Sequence, residues 1–587
     1  EKGVAKESLL PFGYGDGGGG PVREMVERAR RQSNLEGSPV LTMGSPQDFY
    51  DAARAERDEL PVWAGELYFE FHRGVQTSQL ALKQGNRRVE AGLAALEWLG
   101  TLAMLRGHAY DAEGVEQLWR RMMLLQFHDI LPGSAIAWVN EEAREEYASL
   151  LQEIEERIDA LRLDVFPGEQ RAIANPAPFA RRELVEVEGR RVLVDVGPLS
   201  VVALADAEAA PTHAVQAQRQ DEGIVLDNGL VRVVVAPDGT VTSLVDVEAE
   251  RELLLPDERA NLLRLHPDHP SCFDAWELQA QYRHHVWELD DVEQIALVED
   301  TPLRAQVDVV RSFGDSRVTQ SLWLDADSKT VRFAVDIDWH ERSRVLKVAF
   351  PLAVKATHES SEIQFGHVRR ALTSNTSWDE ARFEVPGHRW TLLDEPGYAV
   401  ALSYDSSYGH DVQPAGAAEH APTAGVVASY TLLRAPLSPD KESDQGRHRI
   451  QYQLTVDADV RAASEAGIAL NQPLRVLEGA GSGEAAVASL ELLRGHAVID
   501  AVKPAFDESG DVVIRLHEAT GGRSRVRLDL GFDAQGVHEV DLLEQPVAEP
   551  TQQRLGDLRD GAVELTLRPF QIPVSYTHLR AHETPEH

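Results

Sequence analysis

The sequence predicts a multi-domain α+β chain: the last β/α units of a larger sheet, then a three-helix bundle, then large antiparallel β-sandwiches. Three observations predict it. Apolar residues recur at helical spacing between residues 55 and 165. From residue 166 the pattern changes to short β-branched runs separated by Gly, Pro and Asp turns, continuing to about residue 573. Residues 1–54 carry helix and strand signals but too little apolar sequence to stand alone. With 587 residues the chain has room for several cores, since domains usually run about 100 to 200 residues.

The first segment reads as a helix around Val22 to Gln32, a short strand near Val40 to Met43 and a second helix after Ser45. Ser45 is suited to cap that helix, with Asp48 three positions on. Three apolar stripes follow over residues 55–165: Val89, Leu93, Leu96 and Ala103; Leu118, Met122 and Leu125; Tyr147, Leu150, Leu151, Ile154 and Ile158. Gly107 and Pro132-Gly133 separate them, so three long helices with short connections are expected. Phe166-Pro167-Gly168 ends the helical part. Leu230 to Val235, with the turn Pro237-Asp238-Gly239-Thr240 and a return arm from Val241, reads as a hairpin. Runs at Val307 to Phe313, Ser321 to Asp327, Val331 to Trp339 and Val345 to Phe350 continue a large sandwich over residues 166–472. A smaller sandwich is expected over 473–573. From Val574 the alternation stops, and residues 574–587 resemble a sequencing or cloning read-through, so they are excluded from the expected fold.

The formal charge of −38 opposes nucleic acid or an anionic membrane as a partner, because a polyanion would be repelled along most of the surface. A neutral substrate fits this surface better. A single cysteine, Cys272, excludes an internal disulfide framework and points to a reducing compartment, the cytoplasm. No apolar run of about 18 residues and no charged-then-apolar leader is visible, so neither a membrane span nor a signal peptide is expected.

The segment Gln126-Phe127-His128-Asp129-Ile130-Leu131-Pro132-Gly133-Ser134 sets an imidazole beside a carboxylate where an apolar helix must stop. Neutral imidazole is a common ligand for a zinc-like ion, and an adjacent carboxylate can join it or grip a hydroxyl. Read alone, the pair fits a helix-end histidine bonded to a backbone carbonyl, with Asp129 solvated, better than a ligand. Its surroundings reverse that preference.

Leu10-Pro11-Phe12-Gly13-Tyr14-Gly15-Asp16-Gly17-Gly18-Gly19-Gly20-Pro21, Glu66-Leu67-Tyr68-Phe69-Glu70-Phe71-His72-Arg73-Gly74 and Asn375-Thr376-Ser377-Trp378-Asp379 resemble, with Gln126 to Ser134, signature segments of the glycoside hydrolase family 38 α-mannosidases. Ala381 to Pro386, Tyr408 to Val412, Leu433 to Pro436 and Asp444 to His448 are similar to the branch holding bacterial and cytosolic enzymes. The likeness runs in order from about residue 10 to about residue 570. It implies that residues 1–54 are the end of an α/β barrel, and that the barrel's His-x-Asp metal pair and nucleophilic aspartate lie upstream of Glu1. The chain is then a C-terminal portion expected to be inactive alone.

The resemblance also implies retaining hydrolysis of α-mannosidic bonds in mannose-containing oligosaccharides, with one divalent ion: zinc first, cobalt or calcium as alternatives. Retention needs two carboxylates about 5 to 5.5 Å apart. Carried over by position, His128 is the metal ligand of the bundle and Asp129 the adjacent substrate-binding carboxylate. Asp16 falls in the acid/base region, although Asp-Gly is also a common turn pair. His72 and Arg73 are expected to face the same cleft, with Glu70 orienting His72; a salt-bridged helix start explains them equally well. Asp444 and Arg447 are expected at the sugar from the sandwich side. His266-Pro267-Asp268 has the His-x-Asp spacing but lacks the family's flanking residues, and is read as a surface turn. The competing reading is a non-catalytic carbohydrate-binding β-sandwich protein with an attached bundle, which would need no metal ligand on that bundle. A phosphate cradle over Gly13 to Gly20 fails because no Lys-Ser or Lys-Thr follows. The sequence leaves room for a homo-oligomer.

Overall fold

The computed structural model describes residues 5–15, 18–165, 171–415, 425–479, 487–488, 490–547 and 558–579. The expected break at Phe166-Pro167-Gly168 and the expected acid/base position Asp16 lie outside the described residues. The chain forms two compact units, Glu1–Tyr68 and Phe69–His587.

In the first unit α1 spans Arg23–Arg31 and α2 spans Pro46–Ala55. Ser45 and Asp48 make a reciprocal capping box, with Asp48 Oδ2 accepting from Ser45 N at 2.8 Å and Pro46 at the first helical position. Neither helix buries a residue. The strand expected at Val40 to Met43 does not form, and the described part of this unit contains no strand. Alternating apolar residues specify a strand only where a second strand supplies the ladder. Here Val40 and Met43 are exposed.

The second unit begins with a bundle of α3 (Leu80–Leu105), α4 (Ala112–Leu125) and α5 (Ala137–Val165). The three apolar stripes turn inward: Val89, Leu93, Leu118, Met122, Tyr147, Leu150 and Ile154 are all buried. Gly85 and Gly92, seven residues apart on α3, leave the space that Tyr147 and Ile154 of α5 occupy; a Cβ at Gly92 would stand 3.1 Å from Ile154 Cγ2. α3 is buried on most of its circumference because its far side meets the strand Val498–Pro504. The helices therefore share one apolar core with the C-terminal sheets.

All the strand pairs among the described residues are antiparallel. A nine-stranded, a six-stranded and a five-stranded sheet enclose the largest core, to which Leu263, Leu322, Phe333, Phe350 and Tyr452 contribute. The hairpin Val231–Val235 with Val241–Asp246 forms with Val233 opposite Leu244. Arg475–Leu477 pairs back onto Ala172–Asn175, Val476 opposite Ile173. Val574–Leu579, expected to lie outside the fold, instead forms a strand between Val512–His517 and Ala534–Val540. Its lack of alternation has a physical reason. Val574, Ser575, Tyr576 and Thr577 are buried in turn, so both faces are covered and neither need be polar.

Bundle and sandwich are tied at the first turn of α3. Gln79 precedes the helix in the left-handed region at φ 58°, and Asp444, also left-handed at φ 56°, reaches it from the sandwich. Asp444 Oδ2 accepts from Gln79 N at 2.8 Å and Oδ1 from Leu80 N at 2.7 Å, so a carboxylate from the turn before the strand Gly446–Thr455 caps the helix. Asp444→Ala removes both bonds and strips buried Lys83 of its facing carboxylate. It should lower unfolding stability by about 3–5 kcal/mol, read as an earlier loss of helical ellipticity in denaturant; a change within error would show that the cap carries no stability.

Candidate functional site

α4 ends at Leu125, and Gln126 donates from Nε2 to Asn86 Oδ1 of α3 at 2.9 Å. The chain then turns twice, with Ile130 N donating to Phe127 O at 2.9 Å and Gly133 N to Ile130 O at 2.9 Å. Gly133 has φ +77°, and a Cβ there would run into the carbonyl oxygen of Ser78. The loop is pinned from below by Lys83. Its ammonium donates to Ser78 O at 2.5 Å, Leu131 O at 3.1 Å and Pro132 O at 3.3 Å. Burial pushes the Lys83 pKa down to about 7, against the pull of Asp444; Arg434 adds to the lowering. Desolvation in turn pushes the Asp444 carboxyl up.

On this pinned loop His128 stands in solvent, its side chain 79% exposed. Its ring leans on Phe127 at 4.1 Å between centroids, and Nε2 is 3.6 Å from Asp129 Oδ2. Asp129 is better fixed, because Ser134 Oγ donates to its Oδ1 at 2.7 Å. His72 stacks on Phe69 with centroids 4.1 Å apart, and its buried Nδ1 has no hydrogen-bond partner. Partial burial holds the His72 pKa below its ordinary value, and the charge of Asp129 pulls it back up. The structure thus sets Asp129 beside His128 and within electrostatic reach of His72.

Other residues named from the sequence are placed elsewhere. Arg73, expected at the sugar, is buried and engaged within the protein. Its Nη1 donates to Glu277 Oε1 at 2.9 Å and Glu70 O at 2.6 Å, its Nη2 to Ala381 O at 2.7 Å, and it lies 4.3 Å over the Phe383 ring. It fastens the turn Glu70–His72 to the sandwich. Asp444, also expected at the sugar, is the buried helix cap described above. Arg447 is exposed on the strand Gly446–Thr455, opposite Asp338. His266-Pro267-Asp268 is not a surface turn. His266 and Pro267 end the strand Leu262–Pro267, His266 Nδ1 lies 3.0 Å from His285 O, and Asp268 Oδ2 is 2.8 Å from Nε of buried Arg434. Burial and the neighbouring Lys347 push the His266 pKa down to about 4. The turn reading failed because Pro closes a strand as readily as it opens a turn. Lys83 was missed, although a lysine in a first helical turn opposes the helix dipole and so needs an external reason.

A zinc-like ion takes three or four protein ligands. Among the described residues no group of three His, Cys, Asp or Glu side chains is arranged to hold one. His128 and Asp129 supply part of a donor set, so the residues present do not fit an ion by themselves.

A helical bundle set against stacked antiparallel sheets is also the fold of a crystallised α-mannosidase from Enterococcus faecalis V583, with a TM-score of 0.71 at 14% identity, covering 95% of this chain and 74% of that one. Four family descriptions match in order: "Glycosyl hydrolases family 38 N-terminal domain" at residues 1–66, "Alpha mannosidase middle domain" at 70–162, "Glycosyl hydrolases family 38 C-terminal domain" at 226–442, and the corresponding "C-terminal beta sandwich domain" at 496–573. The chain belongs to glycoside hydrolase family 38. It is 34% identical to "Alpha-mannosidase 2C1" of Homo sapiens over 97% of this chain and 56% of that protein. It is 28% identical to "Alpha-mannosidase" of Saccharomyces cerevisiae over 96% and 54%. The chain spans about half the length of the curated relatives it matches.

Asp129→Asn should lower the His72 pKa further, since the neighbouring negative charge that favours the imidazolium is removed. Titration of the His72 ring signals by NMR reads this; an unmoved or raised value would separate the two residues.

Proposed function

We propose that the protein acts in the hydrolysis of α-mannosidic bonds in mannose-containing oligosaccharides, with His128 as one ligand of a divalent ion and Asp129 as a substrate contact. Zinc leads the candidates, with cobalt and calcium after it. The observation that carries this reading is the presentation of His128 and Asp129 on a loop that Lys83 locks to α3, in a chain matched along its length by α-mannosidase relatives. An exposed imidazole beside a fixed carboxylate contributes little to its own fold and is open to a ligand. Hydrolysis with retention is the companion proposal, its two carboxylates about 5 to 5.5 Å apart.

The ion needs donors beyond those described here, so the chain as it stands should turn over little substrate. Residues 1–54 would then be the end of the catalytic barrel, a reading that the match of residues 1–66 to the family's N-terminal domain supports. No helix among the described residues is long and apolar enough to cross a membrane. The single exposed thiol of Cys272 favours a cytoplasmic home.

The test compares this chain with the longest reading frame that contains it, on an aryl α-mannoside with added zinc, cobalt or calcium. The longer protein should release the phenol in a metal-dependent manner and this chain should not. His128→Ala in the longer protein should lose bound metal and at least about 100-fold in activity together, the scale on which removing a metal's supporting groups acts. Metal retained in full by that variant would remove His128 from the ion's ligands.

A further inference from the structure

Asn86 is buried in the second turn of α3, where asparagine is a poor helix former and a buried amide must find partners. It finds two. Its Oδ1 accepts from Gln126 Nε2 at 2.9 Å, and its amide meets the Tyr408 hydroxyl of the sandwich. Burial raises the Tyr408 pKa, and the facing Arg87 and Asn86 draw it back down. Tyr408 is fixed to the same region by its N, which donates to Gln76 O at 2.8 Å, and by the Arg87 guanidinium 4.6 Å over its ring. A link from the sandwich through α3 to the end of α4 therefore runs through this one side chain.

The place of Asn86 on the helix matters because of what lies one turn before it. Lys83 is three residues away on the same side of α3, and it takes Leu131 O at 3.1 Å and Pro132 O at 3.3 Å. α3 thus grips the chain before His128, at Gln126, and after it, at Leu131 and Pro132. Between the grips the bonds are local: Ile130 N to Phe127 O at 2.9 Å, Gly133 N to Ile130 O at 2.9 Å and Ser134 Oγ to Asp129 Oδ1 at 2.7 Å. Such bonds shape the loop without fixing where it points. Leu125 packs into the core just ahead of Gln126, but apolar packing tolerates small rotations that a directional hydrogen bond does not. Held by Lys83 alone, the loop could pivot about its far end. The bond between Gln126 and Asn86 removes that freedom and so sets the direction in which the Asp129 carboxylate leaves the loop.

We propose that Asn86 is a positioning residue: with Lys83 it forms a two-point clamp that holds the Asp129 carboxylate in its place relative to His72. The value of that placement for sugar binding rests on the proposed function. The clamp itself does not.

The experiment uses the full chain and reads no turnover. Gln126→Met removes the donor from an exposed position, and Asn86→Leu removes the acceptor. In Gln126→Met, amide hydrogen exchange of a peptide covering residues 127–134 should quicken by about fivefold, the scale on which one hydrogen bond shifts a local opening. Exchange in α5 and the thermal unfolding of the chain should stay as they are. The His72 ring, followed by NMR, should titrate at lower pH, because a carboxylate that swings away favours its imidazolium less. Asn86→Leu should give the same two changes, and the double variant should add nothing to either. Because Gln126 is exposed, its substitution decides the question even where the buried Asn86→Leu variant does not fold. The proposal is overturned by unchanged loop exchange, by a His72 titration that stays in place, or by effects that add in the double variant. Exchange quickened throughout the chain would also overturn it, as the mark of a role in stability alone. Its failure would leave the proposed function standing, and a longer protein that hydrolyses no mannoside would leave the clamp standing.

Discussion

The fold depends on one carboxylate placed at the start of one helix. Asp444 caps α3 across 365 residues of sequence, and it does so with both residues of the contact in left-handed backbone. Such conformations cost of order 1–3 kcal/mol each in a non-glycine residue and persist only where the surroundings over-determine them. The surroundings here are several polar ties. Gln79 Nε2 donates to Asp440 Oδ2 at 2.7 Å, Asn140 Nδ2 of α5 donates to the same oxygen at 3.0 Å, and Arg434 Nη1 donates to Ser78 Oγ at 3.0 Å. The junction thus fixes α3 and α5 to the sandwich together.

That constraint divides α3 along its length. Its first turns carry Lys83, Gln84, Asn86 and Arg87, all buried and each bonded to a neighbouring element. Gln84 Nε2 reaches Ser406 Oγ at 2.7 Å, and Arg87 Nε reaches Ser406 O at 2.9 Å while its guanidinium lies 4.6 Å over the Tyr408 ring. Its later turns carry Leu93, Leu96, Leu99 and Leu102 into the core shared with the C-terminal sheets. Apolar packing is tolerant of small shifts, whereas a buried polar network is not. The polar end is also the end that Lys83 joins to the His128 loop. Rigidity is therefore concentrated where the loop needs it.

How much of this was legible in the sequence follows from the range of each interaction. The stripes of α3, α4 and α5 were readable because the 3.6-residue period is written locally, and so was the Ser45–Asp48 cap, which spans three residues. Val40 to Met43 carries strand composition but no strand, because pairing is a property of two segments. The strand Val574–Leu579 escaped for the converse reason, its neighbours covering both faces. Asp444 looked like a ligand because a polar residue in a motif invites that reading, and only the three-dimensional partner, the free amides of Gln79 and Leu80, identifies it as a cap. For Arg73 the two readings, sugar contact and salt-bridged helix start, were equally open from the sequence, and the ion pair with Glu277 is the second of them. His128 and Asp129 were legible as a pair, but that Ser134 orients one and leaves the other in solvent was not.

The exposure of His128 bears on the choice between a ligand and a helix-end histidine. The latter would bond its ring to a carbonyl at the helix exit, and among the described residues no carbonyl accepts from it. The carbonyls of Leu131 and Pro132 in the loop after His128, with that of Ser78 before α3, are taken by Lys83. A lysine ammonium with three donors satisfies them from inside the protein. The loop can then close without the histidine, whose ring is left outside beside Asp129 with Phe127 against it. The buried lysine, at the cost of its own desolvation, holds the loop on which the exposed imidazole stands.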